Sequence, residues 1–256
     1  MRDRGLRYIP INIQTDYVFG GYGNLGGEVL NKGLKWPLPK AEYQNLNGIE
    51  TYGCTLFATT SAVEILIKYQ YGEEINLSDR FLSKVSGISI GGGSPHNSAE
   101  WLRKLGAPEE SSWPFSTDID TRDKYFAELS PKLFEEARTY FLDRFDFKHE
   151  YVNPAQIKSA LRYSPLGVSV AAWSKEDDRY YKPEGQRDNH WTVLLEYQDQ
   201  GYEKENYQLV FDSYADNGEP LKKLRLDFQH EVVKRYWISK RTRPLSLRER
   251  FFRFWT

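Results

Sequence analysis

The apolar residues of this chain change their spacing near the middle, and that change limits the fold it can adopt. From Cys54 to about Tyr71 they recur at three- and four-residue intervals, as on one face of a helix. Later apolar segments are short, β-branched and aromatic, and turn-forming or charged residues separate them. Helices first and strands second predict an α+β arrangement of two packed lobes rather than a repeating βαβ fold.

Other local signals place the remaining elements. A capping boundary at Asn76–Ser78 predicts a second helix, and Ser98–Lys104, followed by Gly106, predicts a third. Residues 121–146 predict one or two more helices, and Pro154–Arg162 a short one. Strands are predicted at Leu166–Trp173, Trp191–Tyr197, Tyr207–Phe211 and Glu231–Ile238.

The composition indicates one large domain and no charge-driven partner. Of 256 residues, 39% are hydrophobic and 15% aromatic, which is enough for a substantial core. With 35 basic and 36 acidic residues the net charge is −1, which argues against nucleic acid as a main partner. The first residues lack the apolar core of a signal peptide, and no apolar run of about eighteen residues occurs, so a cytoplasmic protein without a transmembrane segment is expected.

Three segments are distinguished along the chain. Residues 1–35 are rich in glycine and tyrosine without a sustained period and are interpreted as an arm, and residues 36–240 form the predicted domain. Residues 241–256 join a basic hinge to an aromatic, basic end. This tail is predicted either to dock on a partner protein or anionic surface, or to pack back on the domain.

Cys54 is the single cysteine, and it opens the best-defined predicted helix. A lone thiol cannot form an internal disulfide, so packing or chemistry must account for its position. Backbone N–H groups at a helix N-terminus stabilise a thiolate, which is the nucleophilic form of cysteine. The position therefore favours a reactive residue, and the alternative is a small buried hydrophobic side chain.

A cysteine nucleophile needs a base within hydrogen-bonding reach and a third group that orients the base. His190 stands at the front edge of a predicted strand, and Asp212 at the end of the next one. The alternatives are a structural histidine and a turn-forming aspartate. The other histidines lie in a glycine-rich turn or in charged segments: His96, His149 and His230.

Several short motifs occur in an order that resembles one known family. Gly53–Ala58 is similar to Gly-Ser-Cys-Trp-Ala-Phe, Asn189–Trp191 to Asn-His-Ala, and Asp212–Tyr214 to Asn-Ser-Trp, the catalytic motifs of the papain-like cysteine peptidases. His190 follows Cys54 by 136 residues, within the roughly 130–150 typical of papain and cathepsins. Four further segments between these motifs also resemble the family: Leu77–Leu82, Gly92–Pro95, Ser112–Phe115 and Ser164–Val170.

The resemblance covers about residues 36–240 and implies a papain-like fold, with a helical N-terminal lobe around the Cys54 helix and a C-terminal lobe of antiparallel sheet. It implies that Cys54 is the nucleophile, His190 the acid/base and Asp212 the orienting residue of a peptidase working through a thioacyl-enzyme. The implied substrate is a protein or peptide.

The resemblance also implies the residues that line the substrate cleft. Gly92 and Gly93 would offer backbone groups to an extended peptide, because absent side chains permit close approach. Pro95, Asn189 and Tyr214 complete the implied substrate-binding set.

The chain departs from the family before the cysteine. The family's oxyanion-hole glutamine stands six residues before the nucleophile, where this chain has Gly48. Gln44, Asn45 and Asn47 each carry a side-chain amide that can donate, and Gln44 is favoured. The intervening insertion, residues 48–51, resembles papain-like chains of phage genomes, which implies a role in virion processing or assembly.

Alternatives from other classes stay open. The Cys, His, Asp order also suits a transglutaminase-like acyl transferase or a bacteriocin-processing peptidase, which share the chemistry as far as the acyl-enzyme. A binding or structural module with little turnover is the third reading. No cofactor and no metal site is expected, because four scattered histidines and one cysteine form no ligand cluster. No long helical segment is indicated before Cys54, so latency through an N-terminal inhibitor segment is not expected.

Overall fold

The protein is described here by a computed structural model covering residues 5–7, 10–12, 16–21, 25–201, 205–214, 219–246 and 248–249. Within these residues the order of elements confirms the α+β class, with most helices before the main strands. The helices are α1 (Cys54–Tyr71), α2 (Asp79–Val85), α3 (Pro95–Leu105), α4 (Arg122–Tyr125), α5 (Pro131–Ala137) with a π-helical extension (Arg138–Leu142), and α6 (Ile157–Ala160). The strands are β1 (Phe145–Val152), β2 (Leu166–Val170), β3 (Ser174–Lys175), β4 (Tyr181–Lys182), β5 (His190–Gln198), β6 (Tyr207–Phe211), β7 (Leu221–Leu224) and β8 (Val233–Lys240).

Helix α1 is the central helix, and its predicted bounds are confirmed. Every residue from Cys54 to Ile67 is buried, so the helix is enclosed on all sides and not amphipathic. Its polar residues are accommodated because their hydroxyls bond the helix's own carbonyls, as Thr59 Oγ1 does to Thr55 O at 2.7 Å. The helix ends at Gly72, whose φ of 64° is the left-handed conformation that favours glycine.

The neighbouring helices show one confirmed and one wrong prediction. Helix α2 begins after Ser78, whose side chain accepts a hydrogen bond from Phe81 N, as the capping signal predicts. Helix α3 begins at Pro95, three residues before the predicted start at 98. The reason is that Ser94 caps the helix and a proline is well suited to the first helical position, where its missing N–H costs nothing.

One sheet contains all eight described strands, in the order β1-β8-β2-β5-β6-β7-β4-β3. Its pairs are antiparallel except β4 with β7. Strand β6 has the predicted bounds, whereas β1 is not among the predicted strands, and its first two residues, 145 and 146, lie in the segment for which helix is predicted. Phe145 and Phe147 alternate with charged residues over this strand, which is the two-residue period of a sheet.

The register of the central strands brings the later motifs together. His190 on β5 pairs with Val170 on β2, and Val193 pairs with Phe211, the last residue of β6. Helix α1 packs against β5. Cys54 at the start of the helix therefore lies near the start of β5 and the end of β6, where His190 and Asp212 are found.

The arm and the tail both contact the domain where they are described. Val18 forms a parallel bridge with Tyr151, and Leu25 N donates to the Glu150 carboxylate at 2.8 Å. In the tail, Leu245 is buried and its N–H donates to Asp143 at 3.2 Å. The aromatic end assigned to docking lies outside the described residues, so docking and the three segment boundaries stay predictions.

Glu64, a buried carboxylate of α1, gives a prediction for the pH dependence of stability. Burial raises the pKa of Glu64 to about 8, against the 4.5 of an exposed carboxyl. The folded state thus keeps a proton that the unfolded chain releases, and stability falls as the pH rises from about 4.5 to 8. Glu64→Gln retains the carbonyl that accepts from Leu77 N. We expect it to stabilise the fold by about 2–4 kcal/mol above pH 8 and little below pH 5.

Urea unfolding at several pH values measures this effect. Glu109→Gln is the matched control, because Glu109 is exposed. A stability difference between Glu64→Gln and the wild type that does not grow with pH would contradict the assignment.

Candidate active site

Cys54 is held at the N-terminus of α1 and has no exposed surface. Gly53 precedes it because a Cβ there would lie 3.2–3.3 Å from Thr51 Oγ1 and the Phe57 ring. Burial raises the pKa of the Cys54 thiol far above its usual value, and the charges of Glu50 and Asp212 raise it further. Backbone hydrogen bonds from Trp191 and Thr55 oppose this but do not outweigh it, so the thiol is protonated in this state.

His190 is the first residue of β5 and is fully buried. Its Nε2 lies 2.7 Å from Asp212 Oδ1. The ring is fixed between Trp173 and Tyr214, with centroids 5.8 Å and 5.3 Å away. Its other nitrogen, Nδ1, is buried and has no hydrogen-bond partner among the described residues. The N–H of the next residue, Trp191, bonds the thiol, so His190 and Cys54 lie in the same part of the site without a hydrogen bond between Nδ1 and the thiol.

Asp212 follows β6 and joins His190 to a buried cation that sequence reasoning missed. Its Oδ2 lies 2.9 Å from Lys222 Nζ on β7, and both side chains have no exposed surface. Burial raises the pKa of Asp212, but the charges and hydrogen bonds of His190 and Lys222 outweigh it and bring the pKa down to about 2. Asp212 is therefore ionised at neutral pH and accepts a hydrogen bond from the Nε2–H of His190.

Lys222 is expected to stabilise the fold by compensating Asp212. Lys222→Met leaves a buried carboxylate without its cation, and we expect a loss of about 3–5 kcal/mol of unfolding free energy. The double variant Asp212→Asn with Lys222→Met removes both charges and is expected to regain most of that loss. Urea unfolding of the four proteins measures the coupling, and additive losses in the double variant would refute it.

Gln44 is the candidate amide that lies closest to the motif residues. It is buried, its Oε1 accepts from Ser213 Oγ at 2.9 Å, and its Nε2 donates to Glu50 at 3.2 Å. Asn45 is exposed, and Asn47 donates its side-chain amide to Ser116 O and Ile119 O. The geometry thus sets Gln44 apart from the two asparagines.

Glu50 is a second residue that sequence reasoning missed. Its carboxylate accepts from Gln44 Nε2, from Tyr52 N and from the Tyr214 hydroxyl. Its charge raises the pKa of the Cys54 thiol, and together with burial it raises the pKa of Tyr214. The only signal in the sequence was its place in the insertion before Cys54.

The predicted cleft residues meet a segment of the chain's own arm. Gly93 N donates to Gly5 O and Gly93 O accepts from Arg7 N, both at 2.8 Å, and Leu6 N donates to Asn189 O at 3.4 Å. A Cβ on Gly92 would lie 1.7 Å from Gly5 O, so only a glycine permits this approach. We call Gly5–Arg7 the covering segment, and it lies on the surface that was predicted to bind substrate.

Leu6 of this segment also lies near Pro95, another predicted cleft residue. Leu6 and Pro95 line one cavity of about 20 Å³, whose wall includes Asp188 and Glu231. Gly93, Pro95 and Asn189 therefore surround the covering segment, while Tyr214 lies beside His190.

Comparison with known structures identifies the fold, which is papain-like. The chain is 18% identical to the bromelain protease of Ananas comosus, solved with the E64 inhibitor, at a TM-score of 0.56, covering 78% of this chain and 93% of that one. It is 16% identical to the cysteine protease and lectin-like domains of Cwp84 of Clostridium difficile, at a TM-score of 0.61, covering 80% and 50%. For procathepsin L 3 of Tenebrio molitor the values are 14%, 0.55, 78% and 67%.

Comparisons at the sequence level add nothing to this likeness. No protein-family model and no curated protein matches the chain.

The helices of the described residues include none that is long and apolar enough to cross a membrane. Among the same residues no cluster of three histidine, cysteine or acidic side chains is arranged to hold a metal ion.

Proposed function

We propose that the protein is a cysteine peptidase that hydrolyses peptide bonds with Cys54, His190 and Asp212. The observation that carries the proposal is the state of the His190 ring. Asp212 occupies Nε2, while Nδ1 is buried, has no partner among the described residues and belongs to the residue that precedes Trp191, whose N–H bonds the Cys54 thiol. Covalent catalysis needs a nucleophile, a base and a group that orients the base, and these positions support assigning the three roles to Cys54, His190 and Asp212.

The proposed reaction follows from these positions. His190 takes the thiol proton, and the sulfur attacks the carbonyl carbon of the scissile bond. The Cys54 N–H and the Gln44 amide stabilise the oxyanion. The C–N bond breaks as His190 returns the proton to the leaving amine, and a thioacyl-enzyme remains. Water, deprotonated by His190, then attacks the thioester and releases the carboxylate and the thiol.

The covering segment supports the proposed mode of substrate binding. Leu6 forms a parallel β-bridge with Gly93, and the segment pairs its backbone with Gly93 and Asn189. A peptide substrate offers the same backbone groups, so the cleft is suited to extended chains. The segment must leave this surface before a substrate can bind.

Thiol labelling tests the proposed activation. Limiting E-64-type epoxide is added near pH 6 to the wild type and to His190→Ala, and mass spectrometry follows the adduct on Cys54. The pair is repeated without residues 1–7, so that slow labelling caused by the covering segment is separated from an unactivated thiol. We expect His190→Ala to slow labelling by orders of magnitude, and equal rates in the two uncovered proteins would refute the proposal.

Gln44 is proposed as the side-chain donor of the oxyanion hole. Gln44→Ala is expected to lower kcat for a peptide substrate about 10²-fold, the usual cost of losing one such donor. Asn47→Ala is the matched control, because its amide bonds a distant loop. Stopped-flow or steady-state rates measure both variants. An equal loss in the two would contradict the assignment.

The labelling and turnover experiments also separate a peptidase from a binding module and from an acyl transferase. A binding module would leave Cys54 unlabelled even without the covering segment. An acyl transferase would label but would incorporate a primary amine into its product faster than it hydrolyses the peptide. A role in virion processing and a cytoplasmic location stay predictions from the sequence.

A further inference from the structure

A large cavity lies outside the proposed active site. It has a volume of about 620 Å³, and its walls come from α3, β1, Lys234 of β8, and Asp16 and Tyr17 of the arm. Cys54, His190 and Asp212 are not among its lining residues. Small-molecule sites usually have volumes of roughly 300–1,000 Å³, so the cavity is large enough for an organic ligand.

The floor of this cavity holds a chain of buried titratable groups. Lys234 Nζ lies 2.9 Å from His149 Nδ1, and His149 Nε2 lies 2.9 Å from Glu100 Oε1. Arg103 also donates twice to the Glu100 carboxylate, at 2.8 Å. An ionised Glu100 requires the proton of His149 on Nε2, so Nδ1 is the acceptor and Lys234 is the donor.

These hydrogen bonds leave Lys234 beside the neutral ring of His149. Burial and the charge of Lys234 lower the pKa of His149 to about 3. Burial lowers the pKa of Lys234 itself to about 7, although Asp16, Glu100 and Glu150 favour its charged form from a distance. The lysine has no exposed surface, and among the described residues no carboxylate lies within 4 Å of its Nζ. Its Nζ also lies 3.7 Å from the centroid of the Tyr151 ring.

The carboxylates of the cavity wall cannot readily turn to this lysine, since each already has a donor. Glu100 is bound by His149 and Arg103, Asp146 by Arg241, Glu150 by Arg235 and Leu25 N, and Asp16 by Asn12 N. The wall also carries two further cations, Lys104 at 3.5 Å from Glu100 and Lys148 over the Trp237 ring.

A second unused group lies in the same wall. His96 Nδ1 is buried and has no hydrogen-bond partner in the described chain. Its ring centroid is 5.3 Å from that of His149. Burial lowers the pKa of His96, and the charge of Lys234 lowers it further. In its neutral form the ring can donate one N–H, and it lines the same cavity as Lys234, which lacks a counter-ion.

We propose that the cavity binds a small organic anion whose carboxylate or phosphate group lies between Lys234 and His96. The anionic group accepts from the ammonium and from the ring N–H, which gives Lys234 a counter-ion and the His96 ring a hydrogen-bond partner. Tyr17, Phe147 and Tyr151 line the cavity and would contact the organic part of the ligand. The peptidase reaction assigns no role to these residues, so the site is independent of the proposed catalysis.

Binding is expected to depend on pH in a defined direction. An anion favours the charged form of Lys234, so binding below about pH 7 meets a lysine that is already protonated. Above that pH a proton must be taken up, and the affinity falls by up to about tenfold per pH unit. The wall also carries the carboxylates of Asp16, Glu100, Asp146 and Glu150, which oppose the binding of an anion.

Thermal unfolding of the full chain with benzoate tests the proposal, because benzoate keeps its charge from pH 6 to 8.5. We expect it to raise the Tm of the wild type and of Cys54→Ala at pH 6, and less at pH 8.5, relative to sodium chloride at equal ionic strength. Lys234→Met should lose the shift. Lys148→Met, which changes an exposed cation at the rim, should retain it.

Sulfate is the second probe and represents the phosphate group. His96→Gln provides a variant that keeps the lysine and is expected to weaken both shifts. Equal shifts in the wild type and Lys234→Met would show nonspecific anion effects and overturn the proposal. No shift with either probe in the wild type would overturn it as well.

Discussion

A Cys54→Ala variant is expected to lose at least about 10⁴-fold in kcat/KM for peptide hydrolysis, because no other thiol in the chain can form the acyl-enzyme. The loss of activity must come from the missing thiol and not from unfolding. Cys54 is fully buried at the start of α1. Alanine is a good helix former, and the substitution removes only the thiol group. The fold is therefore expected to remain intact, which circular dichroism and the Tm can verify.

The measurement uses a fluorogenic peptide and protein without residues 1–7, so that the cleft is open in both samples. Thr59→Ala is the matched control, because Thr59 lies further along α1 and its hydroxyl bonds the helix's own carbonyl. We expect this control to keep activity within a few-fold of the wild type. Comparable hydrolysis by Cys54→Ala and the control would exclude Cys54 as the nucleophile.

Local signals in the sequence predict the elements that carry Cys54, His190 and Asp212. Helix α1 has apolar residues at three- and four-residue intervals and a terminal glycine, and β6 is a short aromatic and β-branched run, so both have the predicted bounds. His190 opens β5 and Asp212 follows β6, which neighbours it. Their side chains meet because the register of two sequence-adjacent strands brings them together.

The missed features depend on contacts between distant parts of the chain. Strand β7 was not predicted because its lysines are typical of an exposed segment, yet Lys222 is buried against Asp212. Likewise Glu150 of β1 is buried with Arg235 of β8. A charged residue in a sheet is accommodated only when its partner is present, and the partner's position follows from strand order, which local propensity does not determine.

The covering segment is the clearest case of this kind. Nothing in Gly5–Arg7 itself predicts that it would lie on Gly93, because backbone pairing carries no side-chain signal. Arg7 adds side-chain contacts, with Nε donating to Gly91 O at 2.9 Å and Nη2 to Ser89 Oγ at 2.7 Å. The prediction that no N-terminal segment maintains latency depends on the missing helical pattern, and a segment held by backbone hydrogen bonds does not need one.

Removing residues 1–7 is expected to raise peptidase activity, and the rate of Cys54 labelling, by about 10²-fold or more. A tethered segment competes with substrate at an effective concentration in the millimolar range, so even weak pairing keeps the cleft covered. Release also admits water to Cys54 and His190, which have no exposed surface in the covered state. Since burial is the main cause of the raised pKa of the thiol, the pH at which labelling begins should fall on truncation.

A point variant tests the same contact without shortening the chain. Leu6→Glu places a carboxylate in a cavity that Asp188 and Glu231 already line, and it should displace the segment and raise the labelling rate. Leu38→Glu is the matched control, because Leu38 is an exposed leucine outside that cavity. A synthetic peptide of residues 3–9 should inhibit the truncated protein in competition with substrate. If truncation and Leu6→Glu both leave folded protein with unchanged labelling, the segment does not limit access, and the burial of Cys54 must be relieved by another motion.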